Sequence, residues 1–225
     1  VTAAALLAEL KQRQESCSSL RGMARISWRE GNRNAVNSRQ ALLVRRPDRI
    51  RLELFGLFGQ PVLVAAINSR RVTALDIGEG VFLQGEASPE NLYRLLHLPL
   101  RPADLARLIL NQVPEMKITY PPTLETTPEG CLLLLSGTER EQELHFDGQG
   151  RLVKMGLSFR GERQLEAEYG DFSGAEEFPR RMRFYLPFQG MEVTLRFDAL
   201  ETNVRLGDEL FELQAPEGFR SLSLP

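Results

Sequence analysis

What most constrains this chain is a two-residue alternation of apolar and polar side chains that recurs along most of its length. Leu20, Gly22, Ala24, Ile26 and Trp28 alternate with Arg21, Met23, Arg25, Ser27 and Arg29, and Met23 is the one apolar residue on the polar side. A second strand runs through Leu42 and Val44. Ile50, Leu52 and Leu54 then oppose Arg49, Arg51 and Glu53, and further strands follow at Val62–Ile67, Val72–Ile77 and Val81–Gln84. In the second half the same period returns near Cys131, through Phe146 and Leu152–Phe159, at Leu165, Ala167 and Tyr169, at Met182, Phe184 and Leu186, and at Met191, Val193, Leu195 and Phe197. A period of two places one set of side chains on each face of a half-buried strand. Short turn signals such as Gly78-Glu79-Gly80 and Asp147-Gly148-Gln149-Gly150 make neighbouring strands antiparallel.

Only three segments carry the helical period. Thr2 can cap a helix over 2–16, where residues 3–15 hold no Pro, Gly or β-branched residue. An insert at about 88–112 interrupts the strands with two short amphipathic helices. Ser88-Pro89-Glu90 is a helix start, with Leu92, Leu95 and Leu96 as its apolar face. After Leu98-Pro99-Leu100-Arg101-Pro102, Leu105, Leu108 and Ile109 form a second stripe. The expected fold is mainly β: one large curved antiparallel sheet of about eleven strands, an incomplete barrel with a helical lid, forming a single domain over 1–225. Three short helices are thin cover for so much apolar sheet, so a hollow is expected inside. Its lining would be Ile26, Trp28, Ile50, Leu52, Leu54, Phe146, Met155, Phe159, Phe184, Met191 and Phe197, with Leu95, Leu96, Leu105, Leu108 and Ile109 in the lid. Aromatic and flexible Met side chains suit a pliable apolar guest, although the same residues could form an ordinary packed core.

Composition narrows the function. The 225 residues are 42% apolar and 26% charged, which excludes a disordered chain. A net charge of −2 gives no footprint for nucleic acid. No apolar run reaches the ~20 residues of a membrane-spanning helix. With two histidines and two cysteines, neither His97 nor His145 has a second ligand at metal spacing, and no cofactor is implied. Gly-x-Ser-x-Gly is absent and no Ser–His–acid set stands out, so the chain reads as a non-enzyme. Cys17 and Cys131 could pair in an oxidising compartment or stand apart as small core residues. Val1 is not a natural start residue, which leaves room for a targeting segment ahead of it.

Two features fall outside a simple core. The segment Leu54-Phe55-Gly56-Leu57-Phe58-Gly59-Gln60-Pro61 puts an apolar pair at a turn, where polar residues are the rule. Leu57 and Phe58 are therefore candidates for touching a membrane or a partner, unless the loop folds back onto the sheet. Charge is also uneven: nine arginines against two acids from Arg21 to Arg51, and six acids against Arg205 from Asp198 to Glu217. The expectation is a solvated face whose charges pair across strands; contact with anionic head groups is the alternative.

Three stretches carry a family resemblance. Arg49-Ile50-Arg51-Leu52-Glu53-Leu54 runs into Gly56-Leu57-Phe58-Gly59. Leu98-Pro99-Leu100 leads to Asp104-Leu105 and Leu108-Ile109-Leu110, ending at Pro114. Asp208-Glu209-Leu210-Phe211-Glu212-Leu213 precedes Ala215-Pro216-Glu217-Gly218. In this order, over essentially the whole chain, the sequence resembles the LolA/LolB-like lipoprotein carriers, on the LolB side. The resemblance implies a half-barrel with a helical lid that binds the acyl chains of lipoproteins, receives them from a LolA-like carrier and works in the bacterial periplasm at the outer membrane. Phe58 stands where LolB has the exposed Leu of its membrane-inserting loop, and Leu57 where LolB has Pro. A lipid-attachment Cys would precede Val1. From a different class, an envelope structural or sensory module binding a protein partner would use the same fold.

Overall fold

The computed structural model describes residues 2–174 and 177–225. The elements run α1 (Ala3–Ser16), β1 (Ser19–Glu30), β2 (Val36–Arg45), β3 (Arg49–Phe55), β4 (Pro61–Ile67), β5 (Arg71–Asp76), β6 (Val81–Glu86), α2 (Pro89–Leu96), α3 (Pro102–Ile109), β7 (Thr123–Thr127), β8 (Gly130–Ser136), β9 (Arg140–Asp147), β10 (Leu152–Phe159), β11 (Glu162–Ser173), β12 (Phe178–Leu186), β13 (Met191–Thr202) and β14 (Arg220–Ser223), with 3-10 turns at Pro187–Gln189 and Asp208–Phe211. The strand order is β14-β6-β5-β4-β3-β2-β1-β13-β12-β11-β10-β9-β8-β7, so β14 and β7 are the ends of an open sheet. The fold is mainly β, as the alternation requires. Among the described residues there are fourteen strands, against about eleven expected. The antiparallel rule also has an exception, because β14 joins β6 in parallel.

Packing divides the chain into two compact units, one of Val1–Ser16, Ile26–Asn37 and Glu115–Arg196, the other of Cys17–Arg25, Ser38–Pro114 and Phe197–Pro225. The boundaries fall within β1, β2 and β13.

In the first unit the core is a row across six strands. Leu133 pairs with Leu144, Leu144 with Met155, Met155 with Ala167, Ala167 with Phe184 and Phe184 with Val193. All six are buried, because the two-residue period puts every second side chain on this face. Beside it Tyr169 pairs with Met182 and Met182 with Leu195, and the Tyr169 ring meets Phe184 edge-on at 6.2 Å. Burial pushes the Tyr169 hydroxyl pKa far up, so it stays neutral. Helix α1 begins as expected, with Thr2 Oγ1 accepting from Ala5 N at 3.2 Å, and buries Leu6 and Leu10.

In the second unit, register fixes two faces. Leu42, Val44, Ile50, Leu52 and Leu54 share the first face with Leu63, Ala65, Ile67, Val72 and Ala74. Ala41, Leu43, Arg45, Arg51 and Glu53 share the second with Val64, Ala66 and Thr73. Helix α2 lies on the first face, since a Cβ at Gly85, the partner of Val72, would meet Asn91 Nδ2 at 2.9 Å. Helix α3 packs against β3. The chain after β13 crosses the second face. Arg45 donates to Leu206 O, Arg51 Nη1 to Leu210 O at 3.1 Å, and Phe211 is buried.

Candidate functional site

The β3–β4 hairpin ends in a four-residue tip. Gly59 N donates to Gly56 O at 3.0 Å and Gly56 N to Gln60 O at 2.9 Å, which closes the turn without help from side chains. Gly59 takes φ +79°, a left-handed conformation costly for residues with a Cβ. The two residues between the glycines have nowhere to fold back to: Leu57 is 99% exposed and Phe58 93%. From Leu54 to Leu63 there is no ionisable side chain. Burying a Leu or a Phe from water gains about 1.5–3 kcal/mol each, and no charge here must be desolvated first.

The proposed acyl-lining residues divide between the units. Ile26, Trp28, Phe146, Met155, Phe159, Phe184 and Met191 lie in the first, and Ile50, Leu52, Leu54 and Phe197 in the second. Phe146, Met155, Phe184 and Met191 are buried there, and Ile26 and Trp28 are half-buried. Phe159 ends its hairpin 36% exposed, with the Arg160 guanidinium 5.1 Å from its ring centre. In the second unit Ile50 is buried, whereas Leu52 and Leu54 are half-buried on the same face. Phe197 lies over Gly22, where an added Cβ would come within 2.8 Å of its ring; this close approach is why β1 has no side chain there.

The helical insert consists of α2 and α3. Ser88 caps α2, its hydroxyl accepting from Asn91 N at 3.2 Å, and His97 ends it in the left-handed region with its N–H on Tyr93 O at 2.8 Å. Leu105, Leu108 and Ile109 of α3 are buried; Leu95 and Leu96 at the end of α2 are half-buried. Asn91, almost fully buried, donates through Nδ2 to Glu86 O and Pro225 O, each at 3.0 Å. Cys17 and Cys131 are not bridged: Cys17 is buried and Cys131 half-buried, with burial raising the Cys131 thiol pKa. Among the described residues, no three His, Cys, Asp or Glu side chains gather as a metal site, and no helix is long and apolar enough to cross a membrane.

One apolar feature was not anticipated. A pocket of about 370 Å³ opens on the second face of the second unit, at Met23, Ala41, Leu43 and Leu200. The signal for it in the sequence was Met23, out of place on a polar strand face.

No family model and no curated sequence matches this chain. Solved structures do. A LolA superfamily protein from Nitrosomonas europaea is similar over 95% of this chain and 98% of its own, at 15% identity and a TM-score of 0.62. The fold is LolA-like. A putative outer membrane lipoprotein-sorting protein domain from Vibrio parahaemolyticus matches over 93% and 97%, at 11% identity and a TM-score of 0.59. A DUF1329 family protein from Desulfovibrio piger matches over 93% and 95%, at 10% identity and a TM-score of 0.65. At these identities the LolA-like likeness is one of architecture, so function must be argued from the residues of this chain.

Proposed function

We propose that this protein binds lipid acyl chains without catalysis and delivers them to a membrane, in a LolB-like role within the bacterial envelope. The observation that carries the reading is the hairpin tip. A LolA-like sheet presents Leu57 and Phe58 fully to solvent on a charge-free turn, at the position that the LolB resemblance gives to a membrane-inserting loop. A soluble protein has little reason to expose two large apolar side chains side by side unless they meet an apolar partner.

Acyl chains would lie along the apolar register. Within the first unit Ile26, Trp28, Met155, Phe184 and Met191 offer contact surface, and within the second Ile50, Leu52, Leu54 and Phe197 do. The helical insert, with Leu95, Leu96, Leu105, Leu108 and Ile109, would act as the lid. The driving force is solvent exclusion, about 0.8 kcal/mol per buried CH₂, so transfer from a LolA-like carrier needs only a difference in apolar contact and no bond chemistry. An N-terminal lipid ahead of Val1 would hold the protein at the outer membrane.

Phe58→Glu is the test. It should leave binding of a fluorescent acyl probe unchanged and abolish transfer of a lipoprotein to liposomes. Unimpaired transfer by this variant would remove the tip from the mechanism.

A further inference from the structure

We propose a second ligand site, separate from the acyl-binding register and from the Leu57-Phe58 tip, on the second face of the β1–β3 region: a pocket for a small uncharged hydrophobic molecule. Met23 of β1, Ala41 and Leu43 of β2, and Leu200 of β13 are the large apolar part of the lining of a half-open hollow of about 370 Å³. This is the polar side of the strands. Along β1 the neighbours of Met23 on that side are Arg21 and Arg25, and along β2 the neighbours of Ala41 and Leu43 are Arg39 and Arg45. The C-terminal segment, with buried Leu206 and Phe211, covers the second face beside Arg45 and Arg51 but leaves these four side chains half-exposed. The volume is at the lower end for small-molecule pockets and fits a body of about a dozen heavy atoms. The Met23 thioether can reshape to meet it.

The rim decides the charge of the occupant. Arg21 Nη2 and Glu201 Oε2 pair at 2.8 Å on one side, and Arg51 Nη2 and Glu53 Oε1 at 2.7 Å on the other. Arg51 is further held by its bond to Leu210 O. The two arginines that line the pocket, Arg21 and Arg51, therefore each already have an acidic partner. An anionic or cationic guest would have to open a pair before gaining one, whereas a neutral apolar guest gains contact and breaks nothing.

The five methionines offer a direct readout. Met155, Met182 and Met191 are buried in the first unit, whereas Met23 lines the pocket. The protein is labelled with methyl-¹³C methionine, Met23 is assigned by Met23→Leu, and the full chain is titrated with 2-naphthalenemethanol. A saturable ring-current shift confined to the Met23 methyl is expected, with 2-naphthoate binding at least tenfold more weakly. Ala41→Trp, which fills the pocket from a half-exposed position, should weaken binding at least tenfold. Leu43→Asn, which keeps a branched side chain of the same heavy-atom count but makes the wall polar, should do the same. Acyl-probe binding should be unchanged in both variants, so loss of this site and failure of the acyl-binding reading are separate results. The proposal is overturned if the Met23 methyl does not respond, if both variants respond like the parent, if naphthoate binds as well as the alcohol, or if the alcohol moves Met155, Met182 and Met191 instead.

Discussion

Met155 and Phe159 stand four residues apart on β10 and point, by alternation, to the same side. The first is completely buried between Leu144 and Ala167, and the second is 36% exposed at the strand end under Arg160. Truncation should separate them. Met155→Ala leaves a cavity in a row that six strands share and should cost about 2–5 kcal/mol. Phe159→Ala removes a ring that already touches water and should cost about 1 kcal/mol or less, mostly as lost cation–π contact. Urea unfolding midpoints of the two variants check this, and equal losses would contradict it. The contrast also shows what alternation can tell. It gives the side to which a residue points, because the backbone pleat is local. Depth depends on where the strand stops and on irregularities such as the register shift between Leu157 and Ser158, which the residue pattern does not contain. Leu57 and Phe58 were visible in the sequence for the opposite reason: two apolar residues between two glycines contradict turn chemistry, and such contradictions mark sites more often than cores.

At the scale of elements, α2 is eight residues long, too short to hold itself together in water. Its start is fixed by the Ser88 hydroxyl on Asn91 N, by Pro89 in the first turn and by Glu90 near the positive end of the helix. Ser88→Ala should cost about 1 kcal/mol and speed amide exchange in α2 before it changes the exchange of β3 or β4. Uniform acceleration along the chain would mean that the cap is not a local device. All three helices and the first six strands were readable, because capping residues and long alternating runs carry their own signal. Strands β7 and β14 were not. Thr123-Leu124-Glu125-Thr126-Thr127 offers a single apolar residue, and Arg220–Ser223 is exposed throughout, so each is a strand only through its neighbour, β8 or β6. The pocket at Met23 was missed for a related reason. It needs three neighbouring strands to place apolar residues on their polar side at one height, and a single strand shows only one irregular residue.

For the whole molecule, the uneven charge of the sequence becomes pairing. The arginine-rich stretch meets the acidic C-terminal one at Arg21–Glu201 and Arg25–Asp198, each 2.8 Å, and at Arg45–Asp208. In the first unit Arg183 bridges Glu168 at 3.1 Å and Glu192 at 2.7 Å, and Arg29 reaches Glu192 at 3.5 Å. The hydrogen bond from Arg183 holds the Glu192 carboxyl below its ordinary range against the opposing effect of partial burial. Arg45 does the same for Asp208. At Asp147 partial burial pushes the carboxyl up, but bonds from Arg151 and from the Gln149 N–H outweigh it and the net shift is downward. A carboxyl lowered in the folded state stabilises the fold above its unfolded pKa, and that contribution is lost as the pH falls through the folded value. Stability should therefore be flat between about pH 5 and pH 7 and decline below about pH 4, where unfolded Asp and Glu take up protons first. Arg183→Leu isolates one share of this. At pH 7 it should cost no more than about 1 kcal/mol, because the pair is partly exposed and solvent screens it. Between pH 5 and pH 3 its urea midpoints should fall less steeply than those of the parent, since Glu192 then titrates nearer its unfolded range. Parallel curves for the two proteins across that interval would show that Arg183 does not hold the Glu192 proton affinity down.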